Sequence, residues 1–326
     1  MTKAEYDALY RAAGRNLPNL TLSSLQRLKK VYIKVGNDVA AKIAQAKLKG
    51  LSDLTTESWA RIDIQLHVSI QDIQNAIDAR IKATVLSGER SFRGINIDYL
   101  NDVIDDFGNL VTKTGISNMF STLNTRVVES VVNRIFADGY TYSDRIWRAG
   151  LQFERDVKNI VSAGLAQGRD VVKIARDLTR YVKKGKKGLI RVDAYGELKR
   201  GTKQFIRRIG NQVDYRALRL IRSELYASMQ DAAKLSGQMN PACTGLYDWV
   251  RSNSKDWGCD CPSNAANSPY TYENVPGYDH PNCLCRIVPR LRNHGDFVSD
   301  LRRWSSGEKV EYLDTWYNDQ YLPLSA

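Results

Sequence analysis

Trp59, Ile62, Leu66, Ile70, Ile73, Ile77, Ile81 and Val85 recur at steps of three and four residues. Such steps return every side chain to one side of an α-helix, so the run specifies a long helix whose apolar face must be buried against other helices. Thr56 is placed to cap it and Gly88 to end it. Leu22 to Leu48 carries the same pattern in Leu25, Leu28, Val31, Tyr32, Val35, Val39, Ile43 and Ala46, and Thr2 to Ala13 reads as a short helix stopped by Gly14. A loop is expected at Ser91 to Gly94, followed by helical patterns over Tyr99 to Leu110, Leu123 to Ala137 and Arg145 to Leu165. Gly168 interrupts the series and Asp170 caps a helix carrying Val172, Ile174, Ala175, Leu178 and Val182. A further helix runs from the cap residue Asp214 through Leu218, Ile221, Leu225 and Met229 to Leu235, with Gly237 as its stop. The fold class this predicts is mainly α, built of helical hairpins or a bundle. His67 stands beside the long stripe with no partner at metal-ligand spacing and reads as a surface residue.

The texture changes at Asn240, where Pro, Gly, Asn, Cys and aromatic residues replace the helical pattern and short extended runs, Gly245 to Val250 and Cys285 to Val288, sit between turn-formers. We therefore divide the chain into a helical N-terminal region (1–165), a basic helical region (166–237) and a small Cys-rich α+β C-terminal module (238–326). The tail of that module, with Trp304, Trp316, Tyr317 and Tyr321, is expected to pack on something larger.

Four of the five cysteines lie between Cys259 and Cys285. A module with so little apolar surface needs a staple, either a metal or disulfides. A structural zinc takes four Cys or His ligands, and Cys259, Cys261, His280, Cys283 and Cys285 offer five. The Cys-x-Cys spacing of both pairs also suits an extended strand, where residues two apart share a face. An antiparallel register would set Cys259 opposite Cys285 and Cys261 opposite Cys283, which serves two disulfides or one metal equally well. Synthesis in the cytoplasm favours reduced thiols and hence zinc; disulfides are the rival, and unligated buried thiols the third reading. Cys243 lies apart and reads as a small apolar residue.

The chain carries 48 Lys and Arg against 36 Asp and Glu, a net +12. Arg180 to Arg222 alone holds fourteen basic and three acidic residues, so +11 sits in this stretch and +1 in the rest. That imbalance favours contact with a polyanion over a solvated face. The residues assigned to it are Lys183, Lys184, Lys186, Lys187, Arg191, Lys199, Arg200, Lys203, Arg207, Arg208, Arg216 and Arg219. No base-reading motif accompanies them, so the expected contact is sequence-independent, made to phosphates, and salt-sensitive.

Four motifs occur in order. They are Gln167-Gly168 leading into Val171 to Leu178; Arg219-Leu-Ile-Arg222-Ser223-Glu224; Tyr247-Asp-Trp249-Val; and His280-Pro281-Asn282-Cys283-Leu284-Cys285. Together they resemble the phage minor head protein family, the Mu protein F-like head morphogenesis proteins. The last is the most specific, being similar to the family's His-Pro-Asn-Cys-Arg-Cys signature. This chain departs from the pattern in its first cysteine pair, which has one intervening residue where the family commonly has two, and in Leu284, which replaces an Arg. The resemblance covers about Gln167 to Pro289 and implies a structural protein of a tailed-phage virion, inside the head or at the connector vertex. Its implied partners are the portal protein, packaged double-stranded DNA, and further copies of itself or the major capsid protein.

Enzymatic patterns are weak by comparison, and the chain is read as a non-enzyme. Gly196 to Lys203 has Thr202 and Lys203 in the wrong order for a phosphate-binding loop, and the sequence has no HExxH and no G-x-S-x-G. The best catalytic alternative is a metal nuclease with His280 as general base, His294 as helper, and Asp256 and Asp279 on a divalent ion. A host nucleic-acid-binding protein with a zinc module is the other alternative. No apolar run approaches a membrane span, and Met1 to Tyr10 lacks the layout of a signal peptide.

Overall fold

The computed structural model describes residues 1–48, 56–135, 139–166, 170–184, 215–251, 260–278 and 283–325. Helices α1 (Lys3–Leu48), α2 (Thr56–Asp102), α3 (Lys113–Val132), α4 (Tyr142–Ala166), α5 (Val171–Lys184) and α6 (Tyr215–Met239) come first. Strand β1 (Cys243–Val250), helix α7 (Cys261–Ala266) and strands β2 (Tyr270–Thr271) and β3 (Arg286–Leu291) follow. The chain closes with α8 (His294–Ser305), α9 (Glu311–Trp316), a π turn (Tyr317–Tyr321) and α10 (Leu322–Leu324). This is the expected mainly α fold with a small α+β module. No helix among the described residues is long and apolar enough to cross a membrane.

Several expected breaks are absent. α1 runs unbroken through Gly14 and Pro18, α2 through Gly88 and the expected loop at Ser91 to Gly94, and α6 through Gly237. A helical glycine costs only about 1 kcal/mol relative to alanine, which tertiary packing readily offsets. At three of these glycines the packing is visible. A Cβ at Gly14 would lie 2.9 Å from Arg286 Cδ, one at Gly88 would lie 2.8 Å from Met229 Sδ, and one at Gly237 would lie 2.9 Å from the Tyr247 ring. Across the expected loop, Arg93 Nε sits 2.9 Å from the buried carboxylate of Glu89 one turn earlier, and Phe92 is buried. The pattern over Tyr99 to Leu110 divides accordingly, into the end of α2 and a 3-10 turn at Ile104–Phe107. α3 begins ten residues earlier than its apolar stripe suggested, at a cap in which the Thr112 side chain accepts from Gly115 N. Gly168 and Asp214 lie outside the described residues.

Contacts divide the chain into two units, each discontinuous in sequence. The first comprises residues 1–21, 82–134 and 222–326, the second 22–81 and 135–221.

In the second unit the stripe of α2 is buried from Ile62 through Leu66, Ile70, Ile73 and Ile77 to Ile81, and Leu28, Tyr32, Val35, Val39 and Ile43 are buried on α1. Tyr32 meets Phe153 of α4 edge-on at 5.3 Å, and Phe153 stacks with Tyr181 of α5 at 6.2 Å. Gly36 lets Val182 reach the backbone of α1, where any side chain would overlap it. Asp170 caps α5 as expected, accepting from Val172 N at 2.8 Å. Lys158 Nζ bridges Asp63 and Glu154 at 2.8 and 2.9 Å. The His67 side chain is 75% exposed, 3.8 Å from Glu154, as befits a surface residue.

In the first unit a buried polar knot joins three helices. Asn96 Oδ1 accepts from Tyr6 OH (2.8 Å) and from Asn240 Nδ2 (2.9 Å), while its own Nδ2 donates to Tyr10 OH and Phe92 O, both at 2.9 Å. Tyr10 OH also bonds Ser236 Oγ at 3.1 Å. The aromatic tail packs as expected. Trp316 lies 5.7 Å from Phe107 and donates to Met239 O at 2.8 Å, and Tyr321 OH accepts from Thr112 N at 2.9 Å. The sheet has the order β2-β1-β3, all antiparallel, with Tyr247 opposite Pro289 and Trp249 opposite Ile287. Asp248 ties β1 to β3 through Arg290, whose Nε lies 2.8 Å from both carboxylate oxygens.

Candidate metal centre

Cys261 opens α7, and Cys283 and Cys285 lie on the extended segment that feeds β3. The expected register, in which the two cysteine pairs face each other as strands, is not formed. β3 pairs with β1 instead, and Cys261 starts a helix. Pro262 explains the difference: it has no N–H to give a ladder, and its fixed φ suits the first turn of a helix. The thiols meet nonetheless. Cys261 Sγ is 3.5 Å from Cys283 Sγ, and the sulfurs of Cys261, Cys283 and Cys285 all lie within 4.8 Å of one another. All three residues are buried, and all three are free thiols rather than half-cystines.

The geometry fits a metal. Thiolates about 2.3 Å from a tetrahedral zinc stand about 3.8 Å apart, within the span observed here. Hydrogen bonding with Cys285 and then burial hold the Cys283 thiol well above the usual range, because a thiolate there would face other sulfurs in a water-poor pocket. The main chain around the thiols is braced by the rest of the fold: Gln230 Nε2 of α6 donates to Cys285 O at 3.3 Å, and Tyr278 OH donates to Cys283 O at 3.2 Å. Gln230, Tyr226 and Ser223 are buried on the same helix, and their support had no signal in the cysteine spacing. Cys259 and His280, the remaining candidate ligands, lie outside the described residues, as do Asp256 and Asp279.

His294 is not in the cluster; its Nδ1 lies 3.4 Å from Tyr99 OH. Cys243 is buried away from the other thiols, and burial pushes its thiol up to about 12, as suits a small apolar residue.

Of the basic segment, Lys183 is exposed in the last turn of α5. Lys184, Arg216 and Arg219 belong to helices whose backbone is described there, though their side chains are not. Lys186, Lys187, Arg191, Lys199, Arg200, Lys203, Arg207, Arg208 and the Gly196 to Lys203 loop lie outside the described residues. The Arg-Ser-Glu motif of α6 has a structural use: Glu224 is fully buried and pairs with Arg134 Nη1 at 3.3 Å, while Arg134 Nη2 reaches Asp231 at 2.5 Å. Comparison with protein-family models, curated proteins and solved structures returns no match for the chain.

Proposed function

We propose that the chain is a structural minor head protein of a tailed phage, associated with the portal and contacting packaged DNA through its basic segment. The observation that carries this reading is the buried thiol cluster in which Cys283 and Cys285 of the His280 to Cys285 motif meet Cys261, braced by α6. These three sulfurs, with Cys259 or His280 as the fourth ligand, would hold a zinc with a closed shell, which would act as a staple for the β2-β1-β3 module. A closed, buried site offers no position for a substrate or an attacking water, which favours a structural role over the nuclease alternative. Such a zinc would supply cross-linking to a module whose chain is also held by Gln230, Tyr278 and the Asp248–Arg290 pair.

The segregation of +11 into residues 180–222 supplies the DNA contact. It leaves a nearly neutral helical remainder free to bind protein.

Two measurements test this. The gene product is expected in purified particles and to stay with the portal ring when they are taken apart; absence from particles removes the virion reading. Duplex binding is expected to be independent of sequence, to weaken steeply with salt, and to fall on charge reversal of Lys183, Lys184, Lys186 and Lys187. Affinity unchanged by that reversal takes the Lys/Gly loop out of the contact, and plasmid cleavage with magnesium or manganese would favour the nuclease.

A further inference from the structure

A second cluster of positive charge lies far from the basic segment in sequence. Arg286, the first residue of β3, lays its side chain across α1 at the buried Gly14: a Cβ there would meet Arg286 Cδ at 2.9 Å, Nε at 3.1 Å and Nη1 at 3.3 Å. Gly14 is thus the gap through which one guanidinium reaches the helix surface. Arg11 and Arg15 flank that gap, one turn apart and therefore neighbours on the same side of α1. Both are exposed, and their charges lie close enough to act against that of Arg286.

Three guanidiniums gathered in this way repel one another unless a counter-charge is present. The buried Nε of Arg286 has no hydrogen-bond partner among the described residues. The same face of α1 is hollow. Arg11 and Arg15 form one end of a groove of about 430 Å³ that continues past the small side chains of Ala8 and Ala4. Asp7, one turn before Arg11, also lines it, and its carboxyl group interacts with the Arg11 guanidinium.

We propose that Arg11, Arg15 and Arg286 form a phosphate-binding site on the N-terminal part of α1. The planar forks of the two exposed arginines match the acceptor oxygens of one phosphate group, and the Arg286 guanidinium at Gly14 adds its charge beside them. The phosphate comes either from a nucleic-acid backbone or from a free phosphate ion, and recognition is the same. The site is independent of residues 180–222, so its failure and failure of the basic-segment reading are separable.

The test uses the full chain and two variants. Arg11→Gln/Arg15→Gln changes only exposed side chains and keeps the fold, which circular dichroism checks; Arg286→Gln removes the buried donor. One arm titrates inorganic phosphate by calorimetry against chloride at matched ionic strength, and the other titrates a short DNA duplex. Each lost charge-assisted contact is expected to weaken binding about tenfold, so the double variant loses about a hundredfold. A loss seen with phosphate but not duplex makes the ligand a free phosphate. A loss seen with duplex makes it a backbone phosphate. Equal binding of both probes by the double variant and the unaltered chain overturns the site, as does absence of binding to either by the unaltered chain.

Discussion

Replacing Asn96 with leucine is expected to lower the unfolding free energy by about 3–5 kcal/mol, among the largest effects of any single substitution in the chain. The amide is fully buried and uses every part of its hydrogen-bonding capacity: two bonds accepted, from Tyr6 and Asn240, and two donated, to Tyr10 and to the carbonyl of Phe92. Leucine keeps its branched shape but is bulkier, and it strands the Tyr6 hydroxyl and the Asn240 amide with no acceptor in a buried interior. Stranded donors of this kind cost more than the bonds were worth. Tyr10→Phe is the contrasting case. It removes one hydroxyl, which accepts from Asn96 and bonds Ser236, while Asn96 keeps its other three bonds, and a smaller loss of about 1–2 kcal/mol is expected. Urea unfolding of both variants measures the difference; a loss below about 1 kcal/mol for Asn96→Leu would mean that the knot is not what fastens α1, α2 and α6 in the first unit.

The second large effect belongs to the thiol cluster. Cys283→Ala removes the central sulfur, the one 3.5 Å from Cys261 and hydrogen-bonded to Cys285. Structural zinc contributes about 10–16 kcal/mol of apparent binding free energy in small zinc domains, so losing it is expected to unfold the module locally. Hydrogen-exchange protection of β1 and β3 should collapse while that of the buried stripe of α2, from Ile62 to Ile81, persists. Chelation of the unaltered chain should reproduce the pattern. Cys243→Ala, at a buried thiol outside the cluster, should leave the module protected. Retained protection of β3 in Cys283→Ala would mean that packing against Gln230 and Tyr278 suffices without a staple.

The helices were legible wherever burial follows a periodic stripe: Ile62 to Ile81, Tyr32 to Ile43, and the cap at Asp170. Their ends were not legible at glycine. Gly14, Gly88 and Gly237 read locally as stops, yet each is a point of close approach, to Arg286, Met229 and Tyr247 respectively. Those partners are far away in sequence, so nothing in the local pattern distinguishes a contact glycine from a terminating one. The cysteine cluster was legible as a group, but its geometry was not. Spacing suggested two facing strands, whereas Pro262 turns the first arm into a helix and still delivers Cys261 to Cys283. The knot around Asn96 gave no signal at all. Its members, Tyr6, Tyr10, Asn96, Ser236 and Asn240, are ordinary polar residues until the fold brings them together.

The staple is the claim on which the structural reading turns, and metal content measures it directly. Chain purified without chelator and assayed for zinc and for free thiols is expected to hold one zinc per molecule, with the cluster's thiols becoming reactive only once the metal is removed. Less than stoichiometric zinc, together with no free thiols in the cluster before reduction, would contradict it and make disulfides the staple.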